Sequence, residues 1–167
     1  IVSVIAAFVV TLPVLAQEAE EQPAQPLRPA LPVEGTESYL ETHYVPRERL
    51  TGNPAWDRKM ALNLYVPKDG KDKHPVVLLV HGGGYGEGDM NEGKGLYKPE
   101  IATKLLKEGF AVVSLNYVLS PAGIFPQVFW DFRTAVRYLR MNADKYKLDP
   151  DRFGAVGFSA GGRLISS

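Results

Sequence analysis

A serine inside a glycine-rich turn is the residue of this sequence best suited to covalent chemistry. Ser159 stands in the segment Gly157-Phe158-Ser159-Ala160-Gly161-Gly162, which follows an apolar run. In a sharp strand-to-helix turn of the GxSxG type, small residues two positions to either side avoid a collision with the backbone, and the hydroxyl is pushed outward. The pattern indicates a nucleophile, although a glycine-rich turn or a hydroxyl helix cap would produce it too.

A second glycine motif lies upstream and could supply the complementary chemistry. The segment His81-Gly82-Gly83-Gly84-Tyr85 directly follows an apolar run that ends at Val80. Because glycine has no Cβ, three in succession can turn their N–H groups toward one point, as a developing oxyanion requires. For this motif alone, a flexible turn is the alternative. A sequence contains both motifs by chance, with the donors upstream and the serine downstream, much less often than it contains either motif alone.

Five segments predict the strands that would position these motifs. Residues 39–45 and 60–66 show apolar side chains at a spacing of two, which favours an antiparallel pair with one exposed face. Residues 76–80, 111–115 and 153–158 are nearly unbroken apolar runs, typical of parallel strands that are covered on both faces. Both glycine motifs would then lie at the carboxyl ends of parallel strands, where open α/β sheets bind their ligands.

Two helices and a turn are predicted between these strands. The first helix includes residues 101–108, with Gly109 in the position of a C-terminal cap. The second runs from about residue 126 to 146, and residues 149–152 form a turn. One face of the second helix carries three arginines, Arg133, Arg137 and Arg140. We interpret that face as solvated surface rather than as an anion site. The order of elements predicts an α/β fold with a mostly parallel, doubly wound sheet.

Several strings of residues resemble those of one enzyme superfamily. They are His81-Gly82-Gly83-Gly84, Asn116-Tyr117-Val118-Leu119-Ser120-Pro121, Phe125-Pro126, Leu148-Asp149-Pro150-Asp151-Arg152 and Gly157-Phe158-Ser159-Ala160-Gly161-Gly162. From about Val76 to Leu164 the chain resembles the α/β-hydrolases of the hormone-sensitive-lipase and bacterial carboxylesterase branch. It is similar in particular to the secreted acetyl-xylan and feruloyl esterases. The resemblance implies an α/β-hydrolase fold that is truncated at its C-terminus.

The resemblance also implies roles for individual residues. Ser159 would be the catalytic nucleophile, and the backbone N–H groups of Gly83, Gly84 and Ala160 would form the oxyanion hole. The motif residues that support them are His81, Gly82, Gly157 and Gly161. Val118 stands where these families often carry arginine, and Arg163 stands where they often carry histidine, so the resemblance leaves the subfamily and the substrate open. The implied acyl transfer requires no metal and no organic cofactor.

The general base and its acid do not follow Ser159 within the sequence. In this fold the chain order is serine, acid and then histidine, and residues 160–167 contain no Asp, Glu or His. We therefore expect both partners beyond Ser167, in a longer reading frame, and we expect the present chain to be inactive by itself. His81 is expected to shape the glycine loop through hydrogen bonds rather than to replace the missing base.

A group of acids and two further histidines are weaker candidates for chemistry. Three acids follow the glycine loop, namely Glu87, Asp89 and Glu92. Carboxylates could bind a hard cation, but the rest of a defined ligand loop is missing, so no metal site is predicted. His43 and His74 are interpreted as an edge-strand and a solvated histidine.

Four aromatic residues could belong to a substrate pocket or to ordinary packing. Tyr85 and Tyr117 either line the acyl or alcohol pocket or pack beneath the glycine loop, and the sequence favours neither alternative. Trp56 and Trp130 are expected to pack in the core or on the surface.

Composition excludes several other classes of function. The 167 residues include 19 Lys and Arg and 19 Asp and Glu, so the formal net charge is zero and no nucleic-acid partner is expected. Cysteine is absent, which excludes disulfides, thiolate metal sites and a cysteine nucleophile. The expected partner is a small-molecule or polysaccharide ester substrate, and the oligomeric state stays open.

The N-terminal residues predict export. Residues 1–16 carry no charge, are nearly all apolar and end in Val14-Leu15-Ala16, which indicates a cleaved secretory signal. An uncleaved anchor or a buried strand is the alternative, but the run is shorter than the ~20 apolar residues that span a bilayer. Residues 17–37 are rich in proline and glutamate and predict a linker, followed by the N-terminal part of the hydrolase domain in residues 38–167. We expect a secreted or periplasmic protein without stable membrane insertion.

These observations favour a secreted serine carboxylic-ester hydrolase that forms an acyl-enzyme at Ser159. Its substrate could be an acetylated or feruloylated polysaccharide. A serine peptidase of the prolyl-oligopeptidase type shares the serine turn, but the triple-glycine loop argues against it. A non-catalytic binding protein on a hydrolase scaffold is the third hypothesis.

Overall fold

The centre of the fold is a five-stranded sheet in the order β1-β2-β4-β3-β5. The structure is a computed structural model that describes residues 33–91, 99–123 and 125–166. The strands are β1 (Thr36–His43), β2 (Ala61–Pro67), β3 (His74–Val80), β4 (Ala111–Leu115) and β5 (Leu148–Gly157). The predicted signal and most of the predicted linker lie outside the described residues, and β1 includes the last two residues of the predicted linker.

The strand pairings confirm a mostly parallel sheet with an antiparallel edge. β1 pairs with β2 antiparallel, and β2 pairs with β4 antiparallel. β3 lies between β4 and β5 and is parallel to both. Only β2 therefore runs against the other four strands. Because β3 and β5 point the same way, the segments that follow Val80 and Gly157 leave the sheet at the same edge.

Helices cover both faces of the sheet, as a doubly wound fold requires. The helices are α1 (Pro54–Asp57), α2 (Pro99–Lys107), α3 (Gln127–Met141) and α4 (Ala160–Ile165). On one face α3 and α4 contribute Val128, Leu139 and Leu164 to the main core cluster. On the other face Leu106 of α2 packs against Leu79 and Val112. None of the helices in the described residues is long and apolar enough to cross a membrane.

The ends of two predicted helices can be compared with the structure. Gly109 has a φ of 84° two residues after the end of α2, which confirms its predicted role as a C-terminal cap. The predicted end of the second helix near residue 146 is wrong, because α3 ends at Met141. The next residue, Asn142, donates a side-chain hydrogen bond of 2.8 Å to the carbonyl of Tyr138 and so satisfies a backbone acceptor of the last helical turn.

The predicted turn at residues 149–152 is wrong in part, because these residues lie within β5. The register passes from His74 opposite Leu148 to Val76 opposite Phe153, so the segment forms an irregularity within the strand. The turn-forming contact is nevertheless present, since the Asp149 carboxylate accepts a 3.1 Å hydrogen bond from the amide of Asp151. The sequence of residues 149–152 therefore forms a local turn as predicted, but β5 pairs with β3 on both sides of this turn.

Candidate active site

Ser159 occupies a sharp turn between β5 and α4. The strand ends at Gly157 and the helix begins at Ala160. Ser159 has φ 52° and ψ −117°, a backbone conformation that non-glycine residues rarely adopt. Its side chain is exposed and forms no capping hydrogen bond with the helix. The hydroxyl is therefore presented to solvent at the N-terminus of α4 rather than used as a helix cap.

The glycines around Ser159 are required by close backbone contacts. A Cβ on Gly157 would lie 2.4 Å from the carbonyl carbon of Gly161. A Cβ on Gly161 would lie 2.3 Å from the carbonyl oxygen of Val80, at the end of β3. Real Cβ atoms do not approach backbone atoms so closely, so both positions exclude larger residues. Because Gly161 has no side chain, the first turn of α4 packs directly against the end of β3 at Val80.

The glycine loop turns sharply after β3. Gly83 and Gly84 have φ values of 111° and 59°, and Tyr85 continues with 66°. The carbonyl of Gly83 accepts hydrogen bonds of 3.0 and 3.1 Å from the amides of Gly86 and Glu87. A Cβ on Gly83 would lie 2.1 Å from the carbonyl oxygen of Glu87, so the turn closes too tightly for any side chain there.

The glycine loop and the serine turn meet at the carboxyl edge of the sheet. A Cβ on Gly82 would lie 3.4 Å from the Cβ of Ser159 and 2.9 Å from the carbonyl oxygen of Phe158. Within residues 33–91, 99–123 and 125–166, no hydrogen bond is donated by the amides of Gly83, Gly84 and Ala160. Within these ranges no acceptor therefore occupies the three N–H groups.

Substituting Gly83 is expected to disable this arrangement. Gly83→Ala would place a methyl group against the Glu87 carbonyl at a strained φ, so the loop must move. We expect kcat for ester hydrolysis by the whole protein to fall by roughly 10²–10³-fold, the usual effect of losing one oxyanion donor. Gly86→Ala is the matched control, because a Cβ there meets nothing within 4 Å. Equal activity of the two variants would contradict a role for the Gly83 turn.

His81 lies beneath the loop and is engaged with backbone groups. Its Nδ1–H donates a 2.8 Å hydrogen bond to the Gly82 carbonyl. Its ring stacks on Tyr117 with a centroid distance of 4.4 Å, and the Tyr117 hydroxyl donates a 3.0 Å hydrogen bond to the carbonyl of His81. Burial lowers the pKa of His81 against the opposing effect of its bond to Gly82. A neutral ring with this hydrogen bond is suited to holding the loop.

The lowered pKa of His81 gives a pH dependence of stability with a definite sign. The unfolded chain binds a proton on this histidine at a pH near 6.5, whereas the folded protein binds it only at lower pH. The free energy of unfolding is therefore expected to fall as the pH decreases below about 6.5. In His81→Asn, which keeps a donor near Nδ1, urea titrations between pH 7 and pH 5 should show a smaller decrease. An equal decrease in the free energy of unfolding of the wild type and of His81→Asn would contradict this role of His81.

A buried ion pair anchors the chain that follows the glycine loop. Arg58 bonds Asp89 through two parallel contacts, Nη2 to Oδ1 at 2.9 Å and Nε to Oδ2 at 3.1 Å. Both side chains are more than 90% buried. A further contact of 2.6 Å joins Arg58 to Glu41 of β1. The pair thus ties the strap of residues 85–91, which returns from the glycine loop, to the antiparallel edge of the sheet.

Asn116, directly after β4, completes this polar cluster. Its Oδ1 accepts a 2.6 Å hydrogen bond from the amide of Met90, and its Nδ2 donates to Asp89 and to the carbonyl of Arg58. Burial alone raises the pKa of Asp89, but the hydrogen bonds from Arg58, Asn91 and Asn116 outweigh it and lower the pKa. Asp89 is therefore a charged structural residue.

The two acids after the glycine loop that the structure describes, Glu87 and Asp89, do not form a joint site. Asp89 faces Arg58, Glu87 is exposed, and Glu92 lies outside the described residues. No group of three or more metal-ligating side chains occurs in the described part of the chain. Sequence reasoning missed Arg58 as the partner of Asp89, because 31 residues separate the two and no local pattern joins them.

The two other histidines and the two tyrosines named in the sequence lie in different parts of the fold. The prediction that His74 is solvated is wrong: it begins β3, is fully buried, and its Nδ1 lies 3.1 Å from the Gly109 carbonyl. His43 ends β1 at the far edge of the sheet. Tyr117 is completely buried beneath the loop, and the half-buried ring of Tyr85 meets it edge to face at 6.4 Å.

Comparison with known proteins identifies relatives of this architecture. The family model BD-FAE matches residues 62–166. A putative α/β hydrolase, R526 of Acanthamoeba polyphaga mimivirus, is 31% identical over 134 residues, which is 80% of this chain and 36% of that protein. Neutral cholesterol ester hydrolase 1 of Rattus norvegicus is 36% identical over 104 residues, which is 60% of this chain and 25% of that protein.

A solved structure shares the fold at higher coverage. A truncated form of a carbohydrate esterase from gut microbiota superposes with a TM-score of 0.65 at 33% identity, covering 81% of this chain and 44% of that one. The chain therefore spans about a quarter to a third of the curated relatives it matches and under half of this structural relative.

Proposed function

Since the chain belongs to the BD-FAE family and has an α/β-hydrolase fold, we propose that the whole protein is a serine carboxylic-ester hydrolase. The observation that carries this proposal is the meeting of Ser159 with the glycine loop. An exposed hydroxyl in a strained turn stands next to amide groups that donate no hydrogen bond within the described residues. An ester carbonyl held between them would have its carbon near the nucleophile and its oxygen near the donors.

The proposed reaction is acyl transfer in two steps. Ser159 Oγ attacks the ester carbonyl while a histidine takes its proton, and the amides of Gly83, Gly84 and Ala160 stabilise the tetrahedral oxyanion. The histidine then protonates the leaving alcohol, and an acyl-enzyme forms. Water, activated by the same histidine, releases the acid and restores the serine. We place the histidine and its supporting acid after Ser167, in the chain order of this fold.

The proposed substrates are small esters or esterified polysaccharides. The similarity to a carbohydrate esterase supports an acyl group carried by a sugar, and the sheet edge at Ser159 is open to solvent. An acetylated or feruloylated polysaccharide would be met outside the cell. Secretion through the apolar segment of residues 1–16, into the periplasm or the medium, is therefore part of the proposal.

Hydrolysis of short p-nitrophenyl esters by the whole protein tests the proposed class of reaction. We expect turnover of p-nitrophenyl acetate and no turnover of a prolyl p-nitroanilide. Turnover of the anilide would favour the peptidase alternative. Absence of both activities in a folded protein would favour a non-catalytic binding protein on the same scaffold and would overturn the proposal.

A further inference from the structure

A pocket of about 390 Å³ lies between α3 and α4. Its lining includes three aromatic rings and two guanidinium groups, Phe125, Phe129, Trp130, Arg133 and Arg163. Arg163 lies one helical turn after Ser159, and its amide donates a 3.2 Å hydrogen bond to the Ser159 carbonyl. The pocket therefore adjoins the helix that presents the proposed nucleophile.

The two guanidinium groups of this pocket differ from the other arginines nearby. Within the described ranges, neither Arg133 nor Arg163 forms an ion pair with a carboxylate. Arg137 contacts the hydroxyl of Thr134, and Arg140 lies over the ring of Phe153 at 5.1 Å. The three arginines of α3 are exposed, as predicted for a solvated face, but Arg133 also lines the pocket together with Arg163, so for Arg133 the interpretation against an anion site is revised.

Two of the three aromatic residues of the pocket are unusually exposed for their size. Phe125 is 77% exposed and Trp130 is 53% exposed. The ring of Phe129 supports Phe125 in an edge-to-face contact with a centroid distance of 5.5 Å. Exposed rings beside unpaired cations suit a ligand that has an apolar face and a negative group.

We propose that this pocket binds a carboxylate-bearing sugar, a uronate unit close to the esterified residue of the substrate. The inference rests on the proposed ester hydrolysis and names its substrate class. The planar guanidinium groups of Arg133 and Arg163 match a carboxylate through paired N–H donors. The rings of Phe125 and Trp130 provide flat apolar surface for the C–H face of a pyranose. A neutral sugar has no negative group to bind the guanidinium groups of Arg133 and Arg163.

Tryptophan fluorescence of the whole protein tests binding without relying on catalysis. Trp130 lines the pocket, so quenching that occurs in the wild type and is lost in Trp130→Phe reports on this site. We expect saturable quenching by glucuronate and none by xylose. Arg133→Gln and Arg163→Gln should each weaken glucuronate binding roughly tenfold or more, the range of a lost charge-assisted hydrogen bond. Arg137→Gln, one turn along α3 and outside the pocket lining, should leave it unchanged.

Two outcomes of the titration would overturn the inference. Quenching of equal strength by glucuronate, inorganic phosphate and sulfate would mean that the arginines attract any anion without a sugar site. An equal response to xylose, or unchanged glucuronate affinity in both arginine variants, would mean that the guanidinium groups do not select a uronate.

A second measurement separates this inference from the proposed function. The ratio of kcat/KM for acetylated oligosaccharides with and without a glucuronate branch should exceed one in the wild type and should fall toward one in the Arg133→Gln, Arg163→Gln double variant. If p-nitrophenyl acetate and both oligosaccharides are untouched, the ester hydrolase proposal fails. If the esters are hydrolysed but the kcat/KM of the branched oligosaccharide equals that of the unbranched one in both the wild type and the double variant, only the uronate pocket fails.

Discussion

Replacement of Ser159 by alanine is expected to remove the proposed ester hydrolysis, with a loss in kcat on the order of 10⁶-fold, as measured for a serine protease without its nucleophile. The variant deletes the Oγ that would form the acyl-enzyme, while the neighbouring amides of Gly83, Gly84 and Ala160 keep their positions. Substrate binding and a small residual rate from the oxyanion hole should survive. Initial rates with p-nitrophenyl acetate measure the effect.

The control for this experiment is a serine remote from the site. Ser38 lies on β1, at the opposite edge of the sheet from β5, and its hydroxyl contacts Thr36. Ser38→Ala should hydrolyse the ester at the wild-type rate. Wild-type turnover in a correctly folded Ser159→Ala protein would remove this serine from the mechanism, whatever the activity of the control.

Breaking the buried pair of Arg58 and Asp89 is expected to produce the largest loss of stability. Asp89→Ala would remove both contacts with Asp89 and leave a guanidinium that is 7% exposed with Glu41, itself 46% exposed, as its remaining ion pair. Removing one partner of a buried ion pair costs about 3–5 kcal/mol, because the remaining charge stays out of water. The free energy of unfolding, measured in urea, should fall by about that amount.

An exposed ion pair of similar length provides the comparison. Arg152 contacts Asp149 at 2.6 Å, and its side chain is 61% exposed. Arg152→Ala should change the free energy of unfolding by less than about 1 kcal/mol. Replacing Arg58 and Asp89 together by Met and Leu should recover much of the loss, since no buried charge remains. Equal destabilisation by Asp89→Ala and Arg152→Ala would contradict the proposed importance of burial.

The central strands could be predicted because their sequence patterns report burial directly, whereas the cover on both faces predicted for residues 153–158 is wrong, since Val156 and Phe158 are exposed. β4 is buried at all five positions, as expected from the apolar run of residues 111–115. The alternation in residues 60–66 predicted the antiparallel pairing of β2 correctly, but the exposed face expected for this strand is wrong, because five of its seven residues are buried and none is exposed. Gly109 was predictable for a similar reason, since only a residue that tolerates positive φ ends α2 in this way.

Features that depend on distant partners could not be predicted. His74 follows the charged segment Lys71-Asp72-Lys73, which suggested solvent, yet its ring is enclosed where β3 passes the end of α2 near Gly109. The charge of Asp89 suggested a surface or a cation, but Arg58 reaches it from another part of the chain. Such pairings follow from the packing of the whole sheet and leave no local signal.

The candidate site could be predicted from the sequence only in part. The glycine spacing predicted sharp turns at Gly83 and Ser159, and the positive φ values of both residues agree with it. The approach of Gly82 to Ser159 follows from the adjacency of two parallel strands, β3 and β5, which sequence order alone does not fix. The pocket of Arg133 and Arg163 depends on the packing of α3 beside α4 and was not visible in the sequence.

A crystal structure of the whole protein after reaction with an alkyl phosphonate ester would test the central claim most directly, because the phosphonate mimics the tetrahedral intermediate. We predict a covalent bond from phosphorus to Ser159 Oγ and a phosphonyl oxygen about 2.7–3.1 Å from the amide nitrogens of Gly83, Gly84 and Ala160. Phosphorus bonded to another residue, or a phosphonyl oxygen that points away from the glycine loop, would contradict the account.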